Sequence, residues 1–411
     1  MARVLFLSAR LPYPPREGHQ LRTWHMLRGV AAAHEVSLVS FVRDDDVPDE
    51  CASLRSLVAH FDSFAIPAQQ SSAALLGAAA RGIVGARPFV AEKYSSKAMR
   101  VRVAELIARV DLVHVDLLPL MSALDDCTTR RPIVLDAHNV EHQLLEQRAQ
   151  RAPGALQRTL LRGQAAKLKR YERAAVQRAA QVLACSRDDA DQLSRLAPET
   201  SISVVPNGVD VDRCRPRPVC SDPVSRQLVF VGQMGWFPNR EGVQWFLGEI
   251  FPRIVECLSD VEFVVVGKAE GLHIPAALRD RVRLMGFVPD LSAIVQDAAV
   301  YVVPLRSGSG TRLKVLEAMA FGKAIVTTAI GAEGIDLVPG EEAVFANDAG
   351  GFARAVVALI ENPEAAARLG AAARARAEAQ YDWRGIEATL RDIYVRTVDR
   401  QPSLRAPARQ R

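Results

Sequence analysis

Two stretches of this sequence hold residues whose types and spacing could do chemistry. The first is DAHNVEH, Asp136 to His142. His138 and His142 stand four apart with Glu141 between them, the H-x-x-E-H spelling of a zinc metallopeptidase, in which one helix face turns two ring nitrogens toward one ion. The same letters fit a strand, PIVLDA, that ends just before His138, with a helix beginning at EHQLLEQRA. On that reading His138 sits at the carboxyl end of a strand, where doubly wound sheets hold ligands. Glu141 then lies in a first helical turn, where a carboxylate suits the helix dipole.

The second stretch is PLRSGSGTRLKVLEAMAFGKAIVTT, Pro304 to Thr328. An apolar strand runs to Pro304, a loop carries Gly308 and Gly310 among hydroxyl residues, and a helix is expected from near Thr311. Strand, glycine loop and helix start together make an anion site, because backbone N–H groups and the helix dipole both face the ligand. Arg312 and Lys314 add cations able to meet a diphosphate. Glu317, three residues after Lys314, shares its helix face, and its carboxylate suits a ribose diol. An ordinary helix pair beside a glycine turn would spell the same residues; their joint occurrence after a strand favours a nucleotide.

Two further stretches carry residue types with possible chemistry. Asp210 and Asp212, in DVD, resemble an aspartate pair that holds a divalent ion, but they follow the Asn207-Gly208 turn in a proline-rich junction and read as solvated linker acids, so no metal is assigned. WFPNREGVQWFLGEIFP places a loop before a helix, with Asn239 as N-cap. There Asn239 and Gly242 are cleft candidates, Trp245 and Phe246 read as core, and Trp236 reads equally as core or base platform.

These residues need elements to position them. A chain of 411 residues suits two domains, and 49% apolar with 24% charged residues makes it globular. Apolar β-branched runs (VLFLS, EVSLVSFV, DLVHV, IVLDA, QVLACS) alternate with helical patterns, and QLVFVG, VEFVVVG, RVRLMGF, AVYVVP and AIVTT repeat the alternation. That rhythm implies an α/β protein of two doubly wound parallel sheets. The expected division is 1–200, completed by a helix over 381–399, and 201–380, with a disordered tail from 400 to 411.

Charge and cysteines narrow the setting. Net charge is +5 with a pI near 9.0, which permits acidic partners without requiring nucleic acid. The six cysteines form no C-x-x-C pair and read as free thiols of a reducing, cytoplasmic compartment. MARVLFLSAR reads as a first strand rather than a signal peptide, and no window has the roughly 20 apolar residues of a spanning helix. The segment Gln147 to Arg178 reads as helical and strongly basic: a solvated face, or a contact with an anionic membrane surface.

GSGTRLKVLEAMAFGKAIVTTAIGAEGI, VVPNGVD and FVGQMGWFPNREGVQWF together resemble glycosyltransferase family 4, and the likeness runs from the first strand through YDWRGIEATLRDIY. The chain is most similar to bacterial sugar transferases of exopolysaccharide clusters. The resemblance implies the GT-B fold, two Rossmann-like domains facing a central cleft. It also implies retaining, metal-independent transfer of a sugar from a UDP- or GDP-linked donor to a lipid-linked or polysaccharide acceptor, with no cofactor.

Carried over by residue, Glu317 holds the donor ribose, Arg312 and Lys314 lie near the diphosphate with Gly310 and Thr311, and Gly18, in PPREGHQLR, belongs to a glycine loop approaching it. His138 stands near the donor sugar, Phe287 and Val288 hold the base through their backbone, and Arg240 stands in for a family lysine. His138 and Glu317 are thus the expected catalytic residues. Two departures are Ser309, where many members carry a glutamate eight positions before Glu317, and Gln233, where many carry arginine. They leave open a non-catalytic nucleotide-sugar binding module, beside the zinc peptidase.

Overall fold

A computed structural model of the chain describes residues 1–15, 18–43, 52–127, 129–217, 226–308 and 310–399. These divide into two compact units, Met1–Pro206 with the chain from Glu387 onward, and Asn207–Ile386.

The first unit holds β1 (Arg3–Ser8), β2 (Glu35–Val42), β3 (His60–Ala65), β4 (Leu112–Asp116), β5 (Ile133–Ala137), β6 (Gln181–Ala184) and β7 (Ile202–Val204). They form one parallel sheet in the order β3-β2-β1-β4-β5-β6-β7. The second unit holds β8 (Gln227–Val231), β9 (Glu262–Val266), β10 (Val282–Gly286), β11 (Val300–Val303), β12 (Ala324–Thr327) and β13 (Val344–Phe345). Its order is β10-β9-β8-β11-β12-β13, again parallel.

Each sheet changes winding direction at its first strand, so switch points fall between β1 and β4 and between β8 and β11. Ligands of such sheets bind beyond the carboxyl ends of the strands there. The central strands are buried from end to end, which explains why VLFLS and FVVV read as unbroken apolar runs: helices cover both faces. In the second core the Phe246 and Phe263 rings lie 4.6 Å apart, and Trp245 is buried beside them, matching their reading as core.

Three strands escaped the sequence reading. HFDSFA, at the edge, has mixed exposure and little apolar pattern. Ile202–Val204 falls beyond the expected division at residue 200, but it pairs with β6, Val182 opposite Ile202, and carries the first sheet past that point. Val344–Phe345 is only two residues long.

The basic segment is two helices, Glu141–Gln150 and Ala155–Arg178, because Pro153 and Gly154 interrupt it. Several of its cations serve the fold: Lys167 Nζ donates to the carbonyls of Gly82, Ile83 and Gly85, and Arg178 to those of Leu124 and Cys127. The helix Trp383–Asp399 spans the chain division. Gly208 lies against the Trp383 ring in the second unit, while Glu387 bonds to His25 and Tyr394 to His114 in the first. Cys127, Cys185, Cys214 and Cys257 are free thiols; Cys51, Cys220 and the 400–411 tail lie outside the described residues.

Candidate functional site

In the second unit, the loop after β11 runs into the helix Leu313–Ala320, two residues later than expected. Gly308 and Gly310 adopt φ of 119° and 75°, a region open to glycine, and this turns the backbone sharply before the helix. Arg312 is the residue before the helix, and its buried guanidinium donates to Ile330 O at 3.3 Å and pairs with Glu333 at 3.4 Å. Thr311 Oγ1 is buried without a hydrogen-bond partner among the described residues.

Lys314 Nζ donates to Asn239 Oδ1 at 2.6 Å and stands 4.1 Å from the centre of the Phe230 ring. Asn239 is fixed in turn by donating to Gln233 O at 2.9 Å. These side-chain ends lie over Gly232, at the end of β8, where a Cβ would fall 2.6 Å from both Asn239 Nδ2 and Lys314 Nζ. Burial, reinforced by the Arg312 charge, pushes the Lys314 ammonium down to about 7 against the pull of Glu317. Burial likewise pushes the Glu317 carboxyl up, opposed by Lys314 and Arg213. Glu317 makes no side-chain hydrogen bond among the described residues, which leaves its acceptor positions open to a ligand diol.

Around this edge stand exposed aromatics. Trp236, after β8, has its ring centre 5.9 Å from the Arg312 guanidinium carbon, and Phe287, after β10, is 73% exposed. Arg240 lies along Gly271 and reaches Met234 O at 3.5 Å.

The first unit presents a buried polar cluster at the carboxyl ends of β4 and β5. His138 Nε2 lies 2.8 Å from Asp116 Oδ1 and 3.4 Å from Asp136 Oδ2. Arg22, fully buried, pairs with Asp136 at 2.6 Å and donates to Val205 O and Pro206 O. Thr23 Oγ1 lies 3.0 Å from Asp116, and Tyr394 Oη bonds to His114 Nδ1. His114, Asp116 and Asp136 are spaced closely enough to suggest a metal shell, but the Arg22 guanidinium and His138 ring already hold the carboxylates.

Burial would lower His138, but the charges of Asp116 and Asp136 prevail and push it up to about 9. Burial outweighs the same charges at His114, which drops to about 4. Asp136 is held well below the usual carboxylate range: burial opposes this, but Arg22 and His138 outweigh it.

Two family descriptions match the chain: "Glycosyltransferase Family 4" over residues 17–213 and "Glycosyl transferases group 1" over 225–362. The chain belongs to glycosyltransferase family 4. It is 29% identical over 199 residues to a phosphatidyl-myo-inositol mannosyltransferase of Mycobacterium leprae, covering 46% of this chain and 52% of that protein. It is also 29% identical over 144 residues to an uncharacterized 44.6 kDa protein in the cps region of Klebsiella pneumoniae, covering 33% of this chain and 37% of that one. The matches thus span about half the length of these curated relatives, or less.

Among solved structures, sucrose-phosphate synthase of Thermosynechococcus elongatus superposes with a TM-score of 0.71 at 18% identity, covering 97% of this chain and 100% of that one. HepE of Anabaena, in complex with UDP-glucose, gives 0.62 at 16% identity, covering 96% and 100%. These likenesses support the GT-B fold.

In this family 4 chain the structure brings Asn239 and Lys314 into contact and sets Glu317 one turn further along the helix. Gly310, Thr311 and Arg312 form the approach to that helix. Phe287 and Val288 follow β10, which is separated from β11 by β9 and β8. Gly18 is the exposed first residue of the helix Gly18–Ala31, and Ser309 lies outside the described residues.

The H-x-x-E-H reading fails on geometry. His138 precedes the helix Glu141–Gln150 and faces Asp116, whereas His142 Nδ1 pairs with Glu172 at 2.5 Å. Asp210 Oδ1 accepts from the backbone N–H groups of Asp212 and Arg213, so it closes a turn. The sequence reading missed Arg22, Thr23, Asp116 and Gly232. Asp116 follows DLVHV as the last residue of β4, and Asp136, its partner in register, is the penultimate residue of β5; a carboxylate at the end of each of two apolar runs was a legible signal.

Proposed function

We propose that this protein is a retaining glycosyltransferase that moves a sugar from a UDP- or GDP-linked donor to a lipid-linked or polysaccharide acceptor, without a metal ion. The observation that carries the reading is the edge of the second sheet. There Lys314 is fixed on Asn239 above Gly232, and the Glu317 carboxylate stands unbonded one turn away. A cation and a carboxylate at that separation suit the diphosphate and ribose of one nucleotide. Family membership supports the reaction class, and the UDP-glucose complex of HepE supports the donor class.

In the proposed reaction the bond from the anomeric carbon to the phosphate oxygen breaks as the acceptor oxygen bonds on the same face. The acceptor proton passes to the leaving phosphate, so no side-chain base is required. Lys314 offsets the charge that develops on the diphosphate, the office a metal fills elsewhere. Glu317 orients the ribose, Thr311 and the Gly310 backbone line the phosphate approach, and Arg312 shapes it. Arg240 and the Phe287–Val288 backbone serve the donor's outer parts, Gly18 approaches the diphosphate, and His138 contacts the sugar.

The cps-region relative supports a role in exopolysaccharide synthesis. Among the described residues no helix is long and apolar enough to cross a membrane. Lipid-linked acceptors would be met at the inner membrane face from the cytoplasm. The outward cations of Ala155–Arg178 and the exposed apolar residues Leu76 and Val84 of Ser72–Val84 favour such a contact.

Calorimetric titration with UDP, GDP and ADP, chelator present, tests the reading, followed by turnover with the sugar conjugates of whichever base binds. Saturable binding weakened about 10- to 100-fold by Lys314→Ala is expected, the size of a lost charge-assisted contact. Failure of every nucleotide to bind would sink it, and binding without turnover would favour a non-catalytic module.

A further inference from the structure

The buried cluster of the first unit balances in charge only if His138 carries two ring protons. Asp116 and Asp136 contribute two negative charges and Arg22 one positive charge. An uncompensated charge in such a site is costly, so the remaining cation belongs on the imidazole, which touches both acids. The other groups around it do not supply that cation. His114 is pushed down to about 4, mainly by burial, and is neutral at pH 7. Cys185 is pushed up to about 12, mainly by burial, and stays a thiol. Glu141 is pushed up to about 7 by burial and then by Glu172, and the His142–Glu172 pair closes on itself.

Both carboxylates are acceptors, so Nε2 must carry a hydrogen in any state of the ring. Two states satisfy that condition. A neutral ring would leave a lone pair on Nδ1 and make Asp116–His138 resemble the orienting half of a catalytic triad, with His138 as a base. A charged ring would instead offer a second N–H from Nδ1, which has no partner among the described residues. The charge count separates the two.

We propose that Asp116 and Asp136 are positioning residues that keep His138 as an imidazolium, so that it serves as a fixed N–H donor through Nδ1 and not as a proton-accepting base. Arg22 neutralises Asp136 on its far side, and Thr23 holds Asp116 in place. The cluster therefore presents a permanent cation at the carboxyl edge of the sheet, suited to a phosphate or sugar oxygen. The role in transfer rests on the glycosyltransferase reading; the charge state does not.

Two arms test this separately. In protein labelled with ¹⁵N-histidine, both His138 nitrogens should be protonated at pH 8, and the ring should titrate well above the roughly 6.5 of an ordinary histidine. A His138 that is neutral at pH 7.5 would overturn the proposal. The second arm is the pH profile of transfer. The protonated ring is the active form, so activity should fall as pH rises through the His138 pKa. Asp116→Asn, nearly isosteric, removes one acid and lowers that pKa.

Between pH 6 and pH 8 the wild type, with its ring near 9, should keep about nine-tenths of its activity, while a variant lowered by about one unit should lose about half, following the protonated fraction. Recovery at low pH would not follow from a merely structural role. Activity that instead rises with pH in both proteins would identify a base and overturn the proposal. If no donor is turned over, the glycosyltransferase reading falls, and the NMR arm still decides the charge state. If Asp116→Asn does not fold, the wild-type titration decides it alone.

Discussion

Lys314 Nζ donates to Asn239 Oδ1 at 2.6 Å, joining the helix after β11 to the helix after β8 across the switch point of the second sheet. The contact fixes a cation that is only partly charged near neutrality, since burial and Arg312 push it down to about 7. A diphosphate would supply the counter-charge the site lacks and raise that value. At pH 8 much of the unliganded Lys314 is neutral, so binding should take up a proton; at pH 6 it is already charged, and uptake should vanish. Calorimetry in buffers of different ionisation enthalpy reads this directly, and equal heats across buffers at pH 8 would refute it.

Gly232→Ala tests the same contact from beneath. The new Cβ would meet the ends of Asn239 and Lys314 at 2.6 Å, and flexible side-chain tips can move aside. Nucleotide affinity should fall about tenfold, one hydrogen bond to a charged group, while the melting temperature changes little. Unchanged affinity would show that the Asn239–Lys314 geometry is dispensable.

Glu317 should read the ribose. Wild-type protein should bind the 2′-deoxynucleotide about tenfold more weakly than the ribonucleotide, and Glu317→Ala should bind the two equally. Persistence of the discrimination in Glu317→Ala would place the ribose elsewhere.

Arg22→Met removes one partner of a fully buried ion pair and leaves Asp136 facing His138 alone. A loss of about 3–5 kcal/mol in stability is expected by chemical denaturation, because the uncompensated carboxylate remains buried. A loss below about 1 kcal/mol, typical of exposed pairs, would contradict the burial described.

For the membrane contact, vesicles containing anionic lipid should retain the protein at low salt and neutral vesicles should not. Reversing Arg162, Arg170 and Arg173, whose side chains make no hydrogen bond or ion pair among the described residues, should abolish retention. Lys167 and Arg178 are unsuitable for this test because they bond to backbone carbonyls of the fold. Equal retention on neutral vesicles would rule out an electrostatic contact.

The sequence by itself determined the two parallel sheets, because strands covered on both faces must be apolar along their whole length, as VLFLS and FVVV are. It also marked the Gly308–Glu317 stretch, where glycines, cations and a carboxylate fall at fixed offsets along one local strand-loop-helix unit. Local offsets suffice for Lys314 and Glu317, which ride on the same helix. Only the tertiary structure decided the partners: Asn239 for Lys314, from 75 positions away, and Asp116 and Arg22 around Asp136 and His138. It also turned Arg312 into a buried residue bonded to Ile330 and Glu333, and His142 toward Glu172 rather than a metal. Such pairings depend on which strands become neighbours in the sheet, and the order β2-β1-β4-β5 is set by crossover packing that no short window of sequence contains.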